Sequence, residues 1–354
     1  MHILHVVGAR PNFMKAAPVL HALREVGARQ TLVHTGQHYD RNMSEVFFSQ
    51  LQIPEPDVNL GVGSGGHAKQ TADIMIGFEP VVLERRPDVV LVYGDVNSTI
   101  AAALVCAKLG IRIGHVEAGL RSYDWTMPEE INRVVTDRLA DFLFTPSEDG
   151  DQNLKKEGVP EEKIHFVGNV MIDSLVRLLP VASKLPKNGY PDRYALVTLH
   201  RPSNVDDSDS LKSILESLLD INRSLDVVFP VHPRTRQRIA QFGYAAGNLH
   251  LLDPLPYIEF LALQQRAAVV ITDSGGIQEE TTYLGVSCIT LRENTERPVT
   301  VTMGTNVIVG KDRKKLTEEL TKVVAGTGKK GAIPPLWDGK ASERIAKFLK
   351  MLQV

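Results

Sequence analysis

The chain reads as an α/β protein built from two Rossmann-like, doubly wound parallel sheets placed in series. Three observations predict this. Its 354 residues exceed the roughly 250–300 at which a single hydrophobic core stops growing. Short β-branched runs ending in Gly, Asp or His alternate with longer stretches of helical periodicity, the rhythm of βαβ units rather than of hairpins. That rhythm occurs twice, separated by a stretch rich in Pro, Lys and Gly at 180–193.

In the first half, strands are expected near 2–7, 31–34, 88–93, 111–116, 142–145 and 164–167. The opening run His2-Ile3-Leu4-His5-Val6-Val7 stops at Gly8, and Pro11 suits the first position of the helix that follows. Asn97 or Ser98 can cap the helix after the strand at 88–93. Glu129 and Glu130 fall in the first turn of another helix, where the dipole favours acidic side chains. In the second half, strands are expected near 194–199, 226–231, 249–252, 268–272, 287–291 and 306–309. Leu211, Ile214, Leu215, Leu218 and Leu219 repeat at helical spacing and form one apolar stripe that packs on a sheet. The stretch PVASKLPKNGYPDR at 180–193 reads as the end of a linking segment, with the boundary near 170–190 and domains of 1–172 and 173–337. The last helix carries Ile345, Phe348, Leu349 and Leu352 on one face. It needs an apolar partner, and periodicity does not say which domain supplies it.

A 43% hydrophobic content supplies both cores. A formal net charge of −2, from 40 basic and 42 acidic residues, leaves no footprint for nucleic acid or an anionic membrane. No apolar run approaches the ~20 residues of a membrane span. The opening run is too short and too little basic at its start for a signal peptide. Cys106 and Cys288 sit in apolar segments without metal-type spacing, which reads as buried free thiols in a reducing compartment. These features point to the cytoplasm, and to no metal site.

Open α/β sheets bind ligands beyond the carboxyl ends of their strands, so polar residues there are the first candidates for a site. After the first strand, Gly8-Ala9-Arg10-Pro11 and Lys15 combine a glycine turn, a helix start and two cations, the elements of a phosphate cradle. The same cations also fit a solvated βα turn. The glycine pattern is not GxGxxG, which argues against a nicotinamide fingerprint. Asp95 projects from a strand end, either toward a ligand or as a turn residue, and Glu117 directly follows an apolar strand, either lining the cleft or pairing with Arg121. His200 and Arg201 close a strand in the second half and suit a leaving phosphate or an acid–base step, although a capping or packing His has the same setting. Asp273-Ser274-Gly275-Gly276-Ile277-Gln278-Glu279-Glu280 follows a strand and opens a helix. The amides of Ser274, Gly275 and Gly276 can then face an anion, and Glu280 can accept from ribose hydroxyls. Arg297 adds a cation or remains an ordinary loop residue.

Taken together, GARPNFMK, HTGQHYD, VYGDVNST, HVEAGLRS, MPEEINR, HRPSN, TDSGGIQEE and TERP occur in the order and spacing of the non-hydrolysing UDP-N-acetylglucosamine 2-epimerases, which the chain resembles from its first strand to about residue 310. The resemblance implies the two-domain fold with a central cleft shared with GT-B glycosyltransferases, a final helix (338–354) returning to the first domain, and a homodimer. It places Arg10, Lys15, His200, Ser274, Gly275, Gly276, Glu280 and Arg297 around UDP, with Phe260 near the uracil. Asp95, Glu117 and Glu129 match the family's catalytic carboxylates, joined by His200. His38 lies in a matching motif without an assigned role.

The chemistry asks for such residues. The proton on carbon 2 of an N-acetylhexosamine is not next to a carbonyl, so a base alone does not remove it near neutral pH. Breaking the bond from carbon 1 to UDP makes it labile and yields a glycal, while cations hold the departing diphosphate. Inversion then takes a proton from one face and returns it to the other, which favours two acid–base groups on opposite sides of the ring. Nothing is oxidised, so no cofactor is needed. Many bacterial members have HRRE where this chain has His200-Arg201-Pro202-Ser203, and a glutamine in place of Asp40. These positions belong to a second, activating sugar-nucleotide site, for which Gln37, Arg201 and His232 remain as partial counterparts. Relatives acting on UDP-2,3-diacetamido-glucuronate share HTGQHxD and MPEEINR, so that substrate is an alternative. A glycosyltransferase would need an acceptor, and a sensor would have no use for three carboxylates.

Overall fold

A computed structural model describes residues 1–37, 50–186, 189–244, 247 and 249–352. They form two compact units, Met1–Arg177 with Pro335–Val354, and Leu178–Pro334.

The first unit holds a seven-stranded sheet of β1 (His2–Val7), β2 (Arg29–His34), β3 (Val58–Asn59), β4 (Val89–Tyr93), β5 (Arg112–Val116), β6 (Phe142–Thr145) and β7 (Ile164–Phe166). All pairs are parallel. The order β3-β2-β1-β4-β5-β6-β7 reverses direction between β1 and β4, which opens a crevice beyond the carboxyl ends of those two strands. Val89 to Tyr93 are all fully buried, as expected of a parallel strand covered on both faces. The sheet is flanked by α1 (Arg10–Glu25), α2 (His67–Arg85), α3 (Asn97–Leu109), α4 (Pro128–Leu139), α5 (Glu148–Lys156) and α6 (Val170–Ser183).

Three details differ from the sequence reading. The two-residue strand β3 was not anticipated. Neither Asn97 nor Ser98 caps α3, whose N-cap is Val96 with no side-chain bond. Their side chains are used sideways instead, Asn97 Nδ2 donating to Gln70 Oε1 at 2.8 Å and Ser98 Oγ to Gln37 Oε1 at 2.7 Å. The linking segment is helical as far as Ser183, because α6 runs on through Pro180. The division between the units falls inside that helix, at Arg177/Leu178.

The second unit repeats the plan with six strands in the order β10-β9-β8-β11-β12-β13. They are β8 (Tyr194–Thr198), β9 (Asp226–Pro230), β10 (His250–Leu252), β11 (Val269–Thr272), β12 (Ser287–Thr290) and β13 (Asn306–Ile308). Its helices are α7 (Pro202–Val205), α8 (Ser208–Ile221), α9 (Pro233–Gln241), α10 (Tyr257–Gln264), α11 (Gly275–Leu284), α12 (Pro298–Thr302) and α13 (Arg313–Val324). The stripe on α8 lies in the core, with Leu211, Leu215 and Leu218 buried and Ile214 and Leu219 packed against them.

The final helix α14 (Ala341–Met351) packs on α1 in the first unit. Phe348 meets Phe142 and Phe144 edge-on, with centroids 5.3 and 5.6 Å away. No helix among the described residues is long and apolar enough to cross a membrane.

Candidate active site

The turn from β1 into α1 is closed from within. Asn12 Oδ1 accepts from the amides of Gly8 and Ala9, both at 3.1 Å, so the glycine turn of the expected phosphate cradle has these two amides already bonded. Gly8 is there for space, since a β-carbon would run into Ser98 Oγ and Thr35 Oγ1. Lys15 is buried and forms an ion pair with Glu117 rather than joining a solvated turn. Arg10 is half-buried in the first turn of α1.

Glu117 occupies the left-handed region at φ 76°, a conformation that costs a residue with a Cβ ~1–2 kcal/mol. Its own amide and that of Ala118 both donate to Phe144 O at 3.1 Å, which holds the turn in place. Glu117 makes no pair with Arg121, which goes instead to Asp137 and Glu157, each at 2.7 Å. Gly94, at φ 61°, lies against the Lys15–Glu117 pair, where a β-carbon would run into Lys15 Nζ and sit 3.1 Å from Glu117 Oε2. Asp95, the next residue, is half-buried and paired with Arg133. Lys15, Asp95 and Glu117 are thereby gathered around one glycine, at the reversal of strand order.

Arg133 and Asn132 were not singled out from the sequence, although both lie in MPEEINR. Asn132 Nδ2 donates to Asp95 O at 2.8 Å, and Arg133 also reaches Glu130 Oε2 at 2.7 Å. The adjacent glutamates of that motif separate by environment. Glu130 is buried and accepts from the amides of Ser122 and Tyr123. Burial pushes its carboxyl up, but those amides and Arg133 outweigh it and hold it below the usual carboxylate range. Glu129, in the first turn of α4, is exposed.

In the second unit the strand ends of β8 and β11 meet through a residue not singled out from the sequence, Asp273. It is fully buried and accepts from the amides of His200 at 3.2 Å and Arg201 at 3.0 Å, and from Asn204 Nδ2 at 3.0 Å. Burial pushes its carboxyl up, yet His200, Asn204 and Arg201 together keep it below the usual range. His200 Nδ1 lies 3.1 Å from Asp273 Oδ1, with half of its side chain exposed. Of the three amides expected to face an anion, that of Ser274 already donates to Thr272 Oγ1 at 3.0 Å. Gly275 begins α11 where a β-carbon would come within 2.7 Å of Glu296 Oε1. Gly276 follows in the first turn of the same helix.

Arg297 is buried, with its guanidinium set between Glu279, 2.8 Å away, and Glu296. Glu280 is only 2% exposed, and its Oε1 accepts from Tyr257 Oη at 2.8 Å. Burial pushes the Glu280 carboxyl up to about 7. Phe260 is half-buried and packs on the core beside Tyr194 and Leu263.

The second-site counterparts are engaged locally. Gln37 in the first unit accepts from Ser98 N at 3.0 Å. In the second unit Arg201 Nε donates to Asp273 O at 3.2 Å, and His232 caps α9 by accepting from Arg234 N at 3.3 Å. His38 and Asp40 lie outside the described residues.

Comparison with known proteins gives this arrangement a family. Residues 21–350 match the family described as UDP-N-acetylglucosamine 2-epimerase. The chain is 41% identical to the UDP-N-acetylglucosamine 2-epimerase of Methanocaldococcus jannaschii, over 99% of each chain. The structure of that enzyme in complex with UDP-GlcNAc and UDP superposes with a TM-score of 0.91, covering 99% of this chain and 100% of the other at 42% identity. It is also 44% identical to the UDP-2,3-diacetamido-2,3-dideoxy-D-glucuronate 2-epimerase of Pseudomonas aeruginosa, over 99% of this chain and 100% of the relative. The chain is an isomerase and belongs to the UDP-N-acetylglucosamine 2-epimerase family.

Proposed function

We propose that the protein interconverts UDP-N-acetylglucosamine and UDP-N-acetylmannosamine by eliminating UDP to a 2-acetamidoglucal and adding it back with inversion at carbon 2. The observation that carries this reading is the gathering of Lys15, Asp95 and Glu117 around Gly94 at the strand-order reversal. Asp95, Glu117 and Glu129 are the groups that take and return the proton, with Lys15 orienting Glu117 and Arg133 orienting Asp95. His200 and the start of α11 at Ser274, Gly275 and Gly276 stabilise the departing diphosphate, with Arg10 and Arg297 as further cations. Phe260 and Glu280 serve the nucleoside. A second reading, epimerisation of UDP-2,3-diacetamido-2,3-dideoxy-glucuronate, is favoured by the 44% identity to the Pseudomonas enzyme.

Turnover in deuterium oxide followed by proton NMR tests both. UDP-N-acetylglucosamine is expected to gain deuterium at carbon 2 as the manno epimer forms. Conversion of the diacetamido-uronate alone establishes the second reading instead. D95N, E117Q and E129Q are each expected to slow exchange by ~100-fold or more while still binding UDP. Wild-type exchange in all three removes the catalytic assignment.

A homodimer is part of the same proposal. Ile76 and Leu83, seven residues apart on α2, stand 71% and 55% exposed, and Ile131 of α4 is 44% exposed, apolar surface suited to burial against a second copy. Sedimentation equilibrium is expected to give a dimer for the wild type and a monomer for I76D. A monomeric wild type at micromolar concentration refutes it. The setting such an activity fits is cytoplasmic sugar-nucleotide supply for polysaccharide assembly.

A further inference from the structure

A fully buried imidazole underlies the two acid-bearing turns of the first unit. His115, on β5, is 0% exposed. Its Nδ1 lies 2.6 Å from Asp137 Oδ1 and its Nε2 2.9 Å from Gly94 O. One contact ends on a carboxylate oxygen and the other on a peptide carbonyl oxygen, so the ring is held through both of its nitrogens. The other oxygen of Asp137 accepts from Arg121 Nη1 at 2.7 Å and from the Gly119 amide at 3.1 Å. Burial pushes the Asp137 carboxyl up, but His115 and Arg121 outweigh it and hold it below the usual range.

One carboxylate therefore holds two turns at once. Through His115 it grips the carbonyl of Gly94, whose amide is tied to Val116 O at 3.0 Å, so β5 clamps both ends of the residue preceding Asp95. Directly, it grips Gly119, two residues beyond the left-handed Glu117. Asp137 itself belongs to α4, the helix that begins beside Glu129. We propose that His115, anchored by Asp137, is a positioning residue that sets the Gly94–Asp95 turn in register with Glu117. The inference rests on the epimerase reading above.

The two bonds of His115 can be separated by substitution. A Gln amide nitrogen stands where Nε2 stands and can still reach Gly94 O, whereas an Asn amide nitrogen stands where Nδ1 stands and reaches only Asp137. H115Q is expected to keep kcat within ~5-fold of wild type. H115N is expected to lose ~30-fold or more, about 2 kcal/mol in the barrier, with KM and UDP affinity within about twofold in both. If H115N does not fold, H115F, which keeps the ring volume and neither donor, takes its place with the same expectation. A purely structural His115 would make activity follow melting temperature rather than which nitrogen is mimicked. Equal kcat in H115Q and the second variant, or a loss of UDP affinity in step with kcat, overturns the proposal. A wild type that turns over neither sugar nucleotide overturns the functional reading and this inference with it, and so is distinguishable from an active wild type indifferent to the substitutions.

Discussion

Glu280 shows how burial changes what a side chain can do. Its carboxyl rises from an ordinary 4.5 to about 7 because desolvation disfavours the charge. The folded value lies above the unfolded one, so the stability this group contributes is fully present below about 4.5 and is lost as pH rises through about 7. Between pH ~5 and ~8 the wild type is expected to lose on the order of 3 kcal/mol relative to E280Q. Calorimetric melting of the two proteins across that range checks this, and a difference that does not change with pH refutes it. The identity of Glu280 and its place one turn into a helix were legible in the sequence, but its burial under Tyr257 was not, because α10 and α11 approach only in the folded unit. Lys15 is a parallel case. Its helical position could be read directly, whereas its partner Glu117 lies 102 residues away.

Elements place these side chains, and glycines decide how closely they come. At Gly94 the backbone is left-handed, φ 61°, and the space a β-carbon would take is occupied by the Lys15–Glu117 pair. G94A is therefore expected to reduce carbon-2 exchange by ~100-fold or more while costing only ~1–2 kcal/mol of stability. Exchange in deuterium oxide with parallel melting measures both effects, and wild-type exchange in a folded G94A removes the close packing from the mechanism. At this scale the longer strands were readable because parallel strands, covered on both faces, carry continuous β-branched runs. β3 was not, since two residues hold no pattern. The linking segment is marked in the sequence by Pro180 and the following Lys and Gly, but its helical part is not. Yet the apolar turns from Val170 to Leu179 carry α6 past that proline, and Asn169 Oδ1 helps to start the helix by accepting from Met171 N at 2.8 Å.

In the whole molecule, the last stretch of chain is the part that periodicity could not place. Ile345, Phe348 and Leu349 announce an apolar face, and either unit offers apolar surface to receive it. The choice is made by polar and aromatic groups distant in sequence. Trp337 Nε1 donates to Pro146 O at 2.8 Å, and Asp173 accepts from the amides of Ala341 at 3.1 Å and Ser342 at 2.7 Å at the start of α14. Gly168, at φ 89°, leaves room for Leu336 O where a β-carbon would collide. Two doubly wound sheets, their strand order of appearance and the polar residues at their ends follow from local patterns, because alternation of strand and helix is written in neighbouring residues. The pairing of Lys15 with Glu117, the grip of Asp137 on two turns, the neutralising company around Arg297 and the destination of the final helix follow from packing. Each depends on residues that neither periodicity nor spacing connects, and which meet only once the sheets have formed.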